Sequence, residues 1–387
     1  MTTYNEIAGR RVNFLSSDPT YVDTNSEGQV WYNSSTATLK SWLPTGAFSA
    51  GGNLNQARTF MIGGAGTQTA ALAAGGYYEP NTRANNTEAY NGIAWTNGGN
   101  LNTGRSQPIV FGTQSAAVAA GGFVNTSPPF VVNTELYNGT AWTNDPTGLN
   151  TARAGSGGVG IQTAGLTFGG SNPGVTAATE SWNGSTWTSV NSLNTARQFP
   201  GSAGVQTAAL AFGGNTATPA STTETESWNG TSWTLVNSLN TARYGLGGFG
   251  IDTAAIAMGG NINPGLSTAT ESFNGSTWTS VNSLNTARDF ITGAGIQTLG
   301  LAFGGNASGP TISSATEVWN GTSWTTSGAY PAANAAGGGC GTQTAALCIG
   351  GLTVPNASTG ATESFNGTSW TTSPATLGTA SLETFFA

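Results

Sequence analysis

Leu193-Asn194-Thr195-Ala196-Arg197, then Thr207-Ala208-Ala209-Leu210-Ala211-Phe212-Gly213-Gly214, then Thr225-Glu226-Ser227-Trp228-Asn229-Gly230, then Ser232-Trp233-Thr234-Leu235-Val236 follow one another, and the series starts again at Leu239. Its markers recur along most of the chain. Asn-Gly, with a Trp three residues after the Gly, occurs seven times, ending at Trp95, Trp142, Trp187, Trp233, Trp278, Trp324 and Trp370. Leu-Asn-Thr-Ala-Arg or a near copy ends at Arg58, Arg105, Arg153, Arg197, Arg243 and Arg288, with Asn334 in the seventh place. A Gly-Gly pair closes an apolar run at 75–76, 121–122, 169–170, 213–214, 259–260, 304–305 and 350–351. Three markers that keep phase at a spacing near 46 residues define a repeat array.

Each unit reads as four short strands, here named a, b, c and d. Runs of four to eight residues bounded by Gly, Asn and Pro are strand signals, and no segment sustains a helical period. Strand a is Gly-rich, as in 155–160, which suits close backbone approach at a crowded centre. Strand b is the apolar run, strand c carries Thr-Glu-Ser-Trp, and strand d begins at the Trp. Asn-Gly between c and d predicts a type I′ hairpin, with both central residues at positive φ. Four strands every 46 residues is the pattern of a β-propeller blade.

Composition narrows the chemistry. Of 387 residues, 58 are Gly and only 7% are charged, with one lysine (Lys40) and no histidine. That excludes a His-based general base, a Ser-His-Asp triad and imidazole metal ligands, so no enzymatic activity and no cofactor are expected. A net charge of −7 with scattered arginines offers no basic patch for nucleic acid. No apolar run is long enough for a membrane helix, and 1–11 lacks the plan of a signal peptide.

The ends hold fragments of the repeat. Thr38-Leu39-Lys40-Ser41-Trp42 aligns with 179–182, 29–33 suits a further strand b, and 382–387 suits a further strand a. The expected architecture is therefore all-β with eight blades, the last assembled from both termini, over 29–387. Residues 1–28 then form a separate N-terminal docking segment. Seven blades plus an N-terminal appendage is the alternative.

Charge placement gives a second, independent pattern. Glu88, Glu135, Glu180, Glu226, Glu271, Glu317 and Glu363 occupy one c-strand position, and six of the arginines start strand a. This stoichiometry predicts structural Arg–Glu pairs that hold blades in register. Cys340 and Cys348 fall on strands a and b of one unit. They read as two buried thiols acting as small hydrophobes in preference to a disulfide. The once-per-unit aromatics read as filler between blades. What varies is the b–c connection, and a uniform scaffold with divergent loops is how recognition surfaces are built. Tyr77, Tyr78, Arg83, Phe123 and Phe130 are the partner-binding candidates, with folding over the rim as the alternative role.

The order Arg, Gly-Gly, aromatic, Trp resembles the kelch motif over residues 58–375, although the aromatic after Glu varies and Asn334 replaces an Arg. The kelch resemblance implies that b–c and d–a connections share a partner-binding face. It also brings in galactose-oxidase-like enzymes, whose copper site needs the histidines that this chain lacks. Gly28-Gln29-Val30-Trp31-Tyr32-Asn33 through Lys40 resembles a hairpin of bacteriophage tail-fibre and virion proteins. The opening Tyr4-Asn5…Gly9-Arg10-Arg11-Val12-Asn13-Phe14-Leu15 resembles marine phage virion proteins. These resemblances imply a virion location. They point to a non-enzymatic fibre or surface appendage that docks to other virion proteins through its N-terminal segment and attaches to a host glycan or protein. A capsid decoration protein and a free carbohydrate-binding propeller are the alternatives.

Overall fold

In the computed structural model the chain divides into two units, 1–48 and 49–387. The residues described are 6–7, 10–15, 30–33, 38–41, 54–55 and 65–372. The last span excludes 68, 79–81, 93–94, 218–219, 308–311, 330–337, 354–356 and 368.

The second unit is a β-propeller of seven blades, each a sheet of four antiparallel strands. The blades span 65–97, 109–145, 157–190, 201–236, 247–281, 292–326 and 338–372, and are numbered 1 to 7 in that order. Blade 3 is typical: Gly157–Ile161 (a), Ala164–Phe168 (b), Thr179–Trp182 (c) and Trp187–Val190 (d) pair in sequence order. The a strands of successive blades lie side by side, and strand a of blade 7 lies beside that of blade 1. Antiparallel pairing puts the a–b and c–d turns at one end of every blade. The b–c and d–a connections are at the other end.

Burial explains the composition of each strand. Strand b is covered on both faces from its second residue onward, so it needs no polar alternation and is written in Ala, Leu, Phe and Met. Strand a must leave room for its neighbours' rings. A side chain on Gly201, for instance, would place its Cβ 2.2 Å from the Phe212 ring. Strand d turns its Trp inward, exposes the next two residues and leaves its last residue partly buried.

Among the described residues there are seven apolar clusters, and each joins two adjacent blades. The core of this molecule is therefore seven interfaces. Between blades 3 and 4, Val159, Leu166 and Phe168 meet Ala209, Ala211, Trp228 and Trp233. In the six interfaces from blades 1–2 to blades 6–7 the d-strand Trp donates its indole N–H to the first Thr of the preceding blade's strand c. Trp187 reaches Thr134, Trp233 reaches Thr179 and Trp278 reaches Thr225, all at 2.9 Å.

The expectation of eight blades is corrected to seven. Leu347 and Ile349 of blade 7 pack directly on Ala71, Ala73, Tyr90 and Trp95 of blade 1, so the ring is closed with no gap for another sheet. The fragments assigned to an eighth blade are found in the N-terminal unit. There Val30–Asn33 pairs antiparallel with Thr38–Ser41 on one side and parallel with Arg10–Leu15 on the other. Arg10–Leu15 in turn pairs antiparallel with Glu6–Ile7. A parallel neighbour is incompatible with an up-and-down blade. This sheet belongs to the unit 1–48. Residues 382–387, expected as an eighth strand a, lie outside the described residues.

The c–d turn also differs from expectation. In blade 2, Tyr137 pairs with Trp142, so the loop has four residues, 138–141, where a type I′ hairpin has two. Only the Gly of Asn-Gly has positive φ, between +89° and +96° across the blades. The Asn instead folds its side chain back: Asn138 Oδ1 accepts the amides of Thr140 and Ala141, both at 2.9 Å. This is an Asx turn, a use of Asn that competes with the αL conformation required by type I′.

Candidate functional site

The Arg–Glu pattern resolves into one structural device in each of blades 2 to 6. Arg105 pairs with Glu135 at 2.5 Å, Arg197 with Glu226 at 2.7 Å, Arg243 with Glu271 at 2.9 Å and Arg288 with Glu317 at 2.8 Å, while Arg153 pairs with Glu180. All ten side chains are buried. Arg197 also meets Glu224 at 3.0 Å. Burial pulls each guanidinium below its ordinary value, to about 10 for Arg243, and the paired Glu opposes that shift. Arg58 and Asn334 lie outside the described residues. Glu88 and Glu363 are buried at the same position as the others.

Sequence reading missed most of what these carboxylates do. In blade 2, Glu135 Oε2 accepts Asn102 N–H at 2.6 Å and Asn102 Nδ2 at 2.8 Å, and Oε1 accepts Thr103 N–H at 3.2 Å. The Asn of Leu-Asn-Thr-Ala-Arg repeats this at 55, 150, 194, 240 and 285. The motif is therefore the loop segment that the Glu holds, and its constant phase with Glu was the available signal.

The Arg forks go further. Arg105 Nη1 donates to Gly121 O, and the next glycine, Gly122, donates its N–H to Arg153 O of blade 3 at 2.8 Å. Gly170 to Arg197, Gly214 to Arg243 and Gly260 to Arg288 repeat that link. The first glycine of each pair has no space for a side chain. A Cβ on Gly169 would sit 2.4 Å from Arg197 O. A second unread marker is the Gln of the a–b turn. Gln162 and Gln206 donate to the carbonyls of Tyr137 and Trp182 in the preceding blade, at 2.6 and 2.5 Å. In blades 2 to 6 the buried carboxylates hold both the Arg and the Asn of their motif, which makes them a structural latch.

The b–c connections bring four of the five partner-binding candidates together. Tyr77–Tyr78 pairs with Thr82–Arg83 as a small ribbon above blade 1. The Arg83 guanidinium lies 4.8 Å from the Tyr77 ring centre and 5.0 Å from that of Phe123, in the neighbouring loop of blade 2. Phe123 meets Phe130 edge to face at 5.2 Å. Tyr77 is buried, whereas Arg83, Phe123 and Phe130 are half-buried. Partial burial lowers the Arg83 pKa, and the nearby Tyr77 opposes this. The Tyr78 side chain lies outside the described residues. The cluster combines a cation with aromatic faces, so it can stack and donate hydrogen bonds.

Two further features of the same end were not read from sequence. Asp289 is buried, and its Oδ1 and Oδ2 accept Asn306 and Asn261 at 2.9 and 3.2 Å. Burial raises its pKa, and the two amides oppose the rise. Phe199 and Phe290 meet edge to face at 5.9 Å, although they start blades 4 and 6. Both hold positive φ, +49° and +46°, at positions where blades 3 and 5 have Gly155 and Gly245.

The two cysteines are thiols. Cys340 packs toward blade 1 and Cys348 toward blade 6, on opposite faces of one sheet. Burial pushes the Cys340 thiol up to about 12.

No protein-family model matches this sequence, and no curated protein matches it.

Proposed function

We propose that the chain is a non-enzymatic bacteriophage virion component, a fibre or surface appendage. In this reading its kelch-type propeller offers the b–c end to a host surface glycan or protein, and its N-terminal unit attaches it to other virion proteins. The observation that carries the binding role is the Tyr77–Arg83–Phe123–Phe130 cluster. Its scaffold position does not demand aromatics: the bridge made by Phe123 and Phe130 in blade 2 is made by Ser171 and Val175 in blade 3 and by Asn261 and Leu266 in blade 5. Aromatic rings beside a guanidinium, half-exposed, suit the apolar face and hydroxyls of a sugar ring or a planar peptide group. The virion assignment rests on the resemblance of the first forty residues.

A glycan array and host-cell binding assay with the full chain tests the binding role. Binding that falls at least tenfold in Arg83→Ser/Phe123→Ser, with the melting curve kept, supports it, and silence or unchanged binding contradicts it. Deletion of 1–48 tests the docking role, which predicts loss of incorporation into particles.

A further inference from the structure

The end of the ring opposite the b–c connections carries an arc of exposed aliphatic side chains. The last residue of strand a is Ile161, Val205, Ile251 and Ile296 in blades 3 to 6, and these are 57, 54, 53 and 58% exposed. Leu299, 48% exposed, pairs directly with Ile296 and replaces the Ala that starts strand b in the other six blades. The fold does not require apolar residues here, because Thr67, Thr113 and Thr342 fill the same position in blades 1, 2 and 7. The a strands of blades 3 to 6 are successive neighbours, so the four side chains lie along one arc.

Its surroundings are almost without charge. The a–b turns and the c–d turns of all seven blades contain one charged residue, Asp252. In a chain of net charge −7, this end can meet a copy of itself with little repulsion or desolvation.

We propose that this arc is a homotypic docking surface through which two copies of the chain pair face to face. The arc is self-complementary about a two-fold axis lying in the plane of the contact and passing between blades 4 and 5. That operation sets Ile161 against Ile296 of the second copy and Val205 against Ile251, as an isologous contact requires. Five half-exposed aliphatic side chains give an apolar patch on the order of 400 Å², a size that marks an interaction site. It is about half of the ~800 Å² that each partner of a stable interface contributes, and the uncharged turns around it supply the rest. This inference is independent of the virion reading.

Sedimentation velocity of the full chain over a range of micromolar concentrations tests it. A monomer–dimer equilibrium is expected, with the dissociation constant raised at least tenfold in Val205→Thr/Ile251→Thr. Threonine is the residue that blades 1, 2 and 7 already use there, and an unchanged melting curve verifies the fold of the variant. A monomer at every concentration, a larger closed oligomer, or association unaffected by the double substitution would overturn the proposal.

Discussion

A buried ion pair is a poor source of net stability but a severe point of failure, because removing one member strands the other charge in the interior. Glu180 illustrates this, since it accepts from Arg153, Asn150 and Thr151 together. Glu180→Ala is expected to destabilise the propeller by about 3–5 kcal/mol, read as a lower denaturant midpoint, and a midpoint within error of wild type would refute the latch. Asp289 provides the pH-dependent counterpart. Its carboxyl pKa is raised in the folded chain, so the folded state holds the proton more tightly than the unfolded state. The stabilisation that follows is present below the ordinary carboxylate value of 3.8 and is lost as pH rises through the folded value. Asp289→Asn should therefore gain stability relative to wild type across that window and show its largest advantage at neutral pH. Thermal melts at several pH values check this, and a constant difference contradicts it. At this scale the one-to-one count of Arg and Glu was legible in the sequence. The Asn ligands were not, because an amide beside a carboxylate leaves no imbalance in a charge inventory. Asp289 was hidden for another reason: its two Asn partners come from blades 5 and 6, far apart in sequence.

Strands were legible because each has one burial environment repeated along the ring, so composition alone separates the mainly apolar strand b from strand c, which buries a Thr and a Glu beside its aromatic. Turn geometry was not, since Asn-Gly fits both a two-residue type I′ hairpin and the four-residue Asx turn found here, and only the pairing register distinguishes them. The d-strand Trp was read correctly as filler between blades, but the hydrogen bond that orients it depends on a Thr in the preceding unit. Trp233→Phe keeps most of the ring and removes the donor to Thr179, which is buried. A loss of about 1–3 kcal/mol is expected from the stranded hydroxyl and the smaller ring, measured by chemical denaturation. Full retention of stability would mean that the indole N–H contributes nothing to the interface. The loop cluster was legible only as divergence between units. That Arg83 reaches across to Phe123 depends on the placement of neighbouring blades, which no single repeat encodes.

The blade count belongs to the whole molecule, and there local similarity misled. Thr38–Ser41 resembles a strand c, but Lys40 stands where every blade has a Glu to receive the Leu-Asn-Thr-Ala-Arg segment. A blade is defined by what it offers both neighbours, namely an apolar face, a Trp donor and a Gly-Gly amide. The hairpin of 30–41 instead finds its second partner in a parallel strand of its own unit. Closure through blades 7 and 1 is thus the claim on which the cores, the latches, the b–c cluster and the apolar arc all depend. Imaging the full chain by electron microscopy and averaging views along the ring axis tests it most directly. Seven lobes around the axis are the predicted result, and an eighth lobe within the ring would contradict the account.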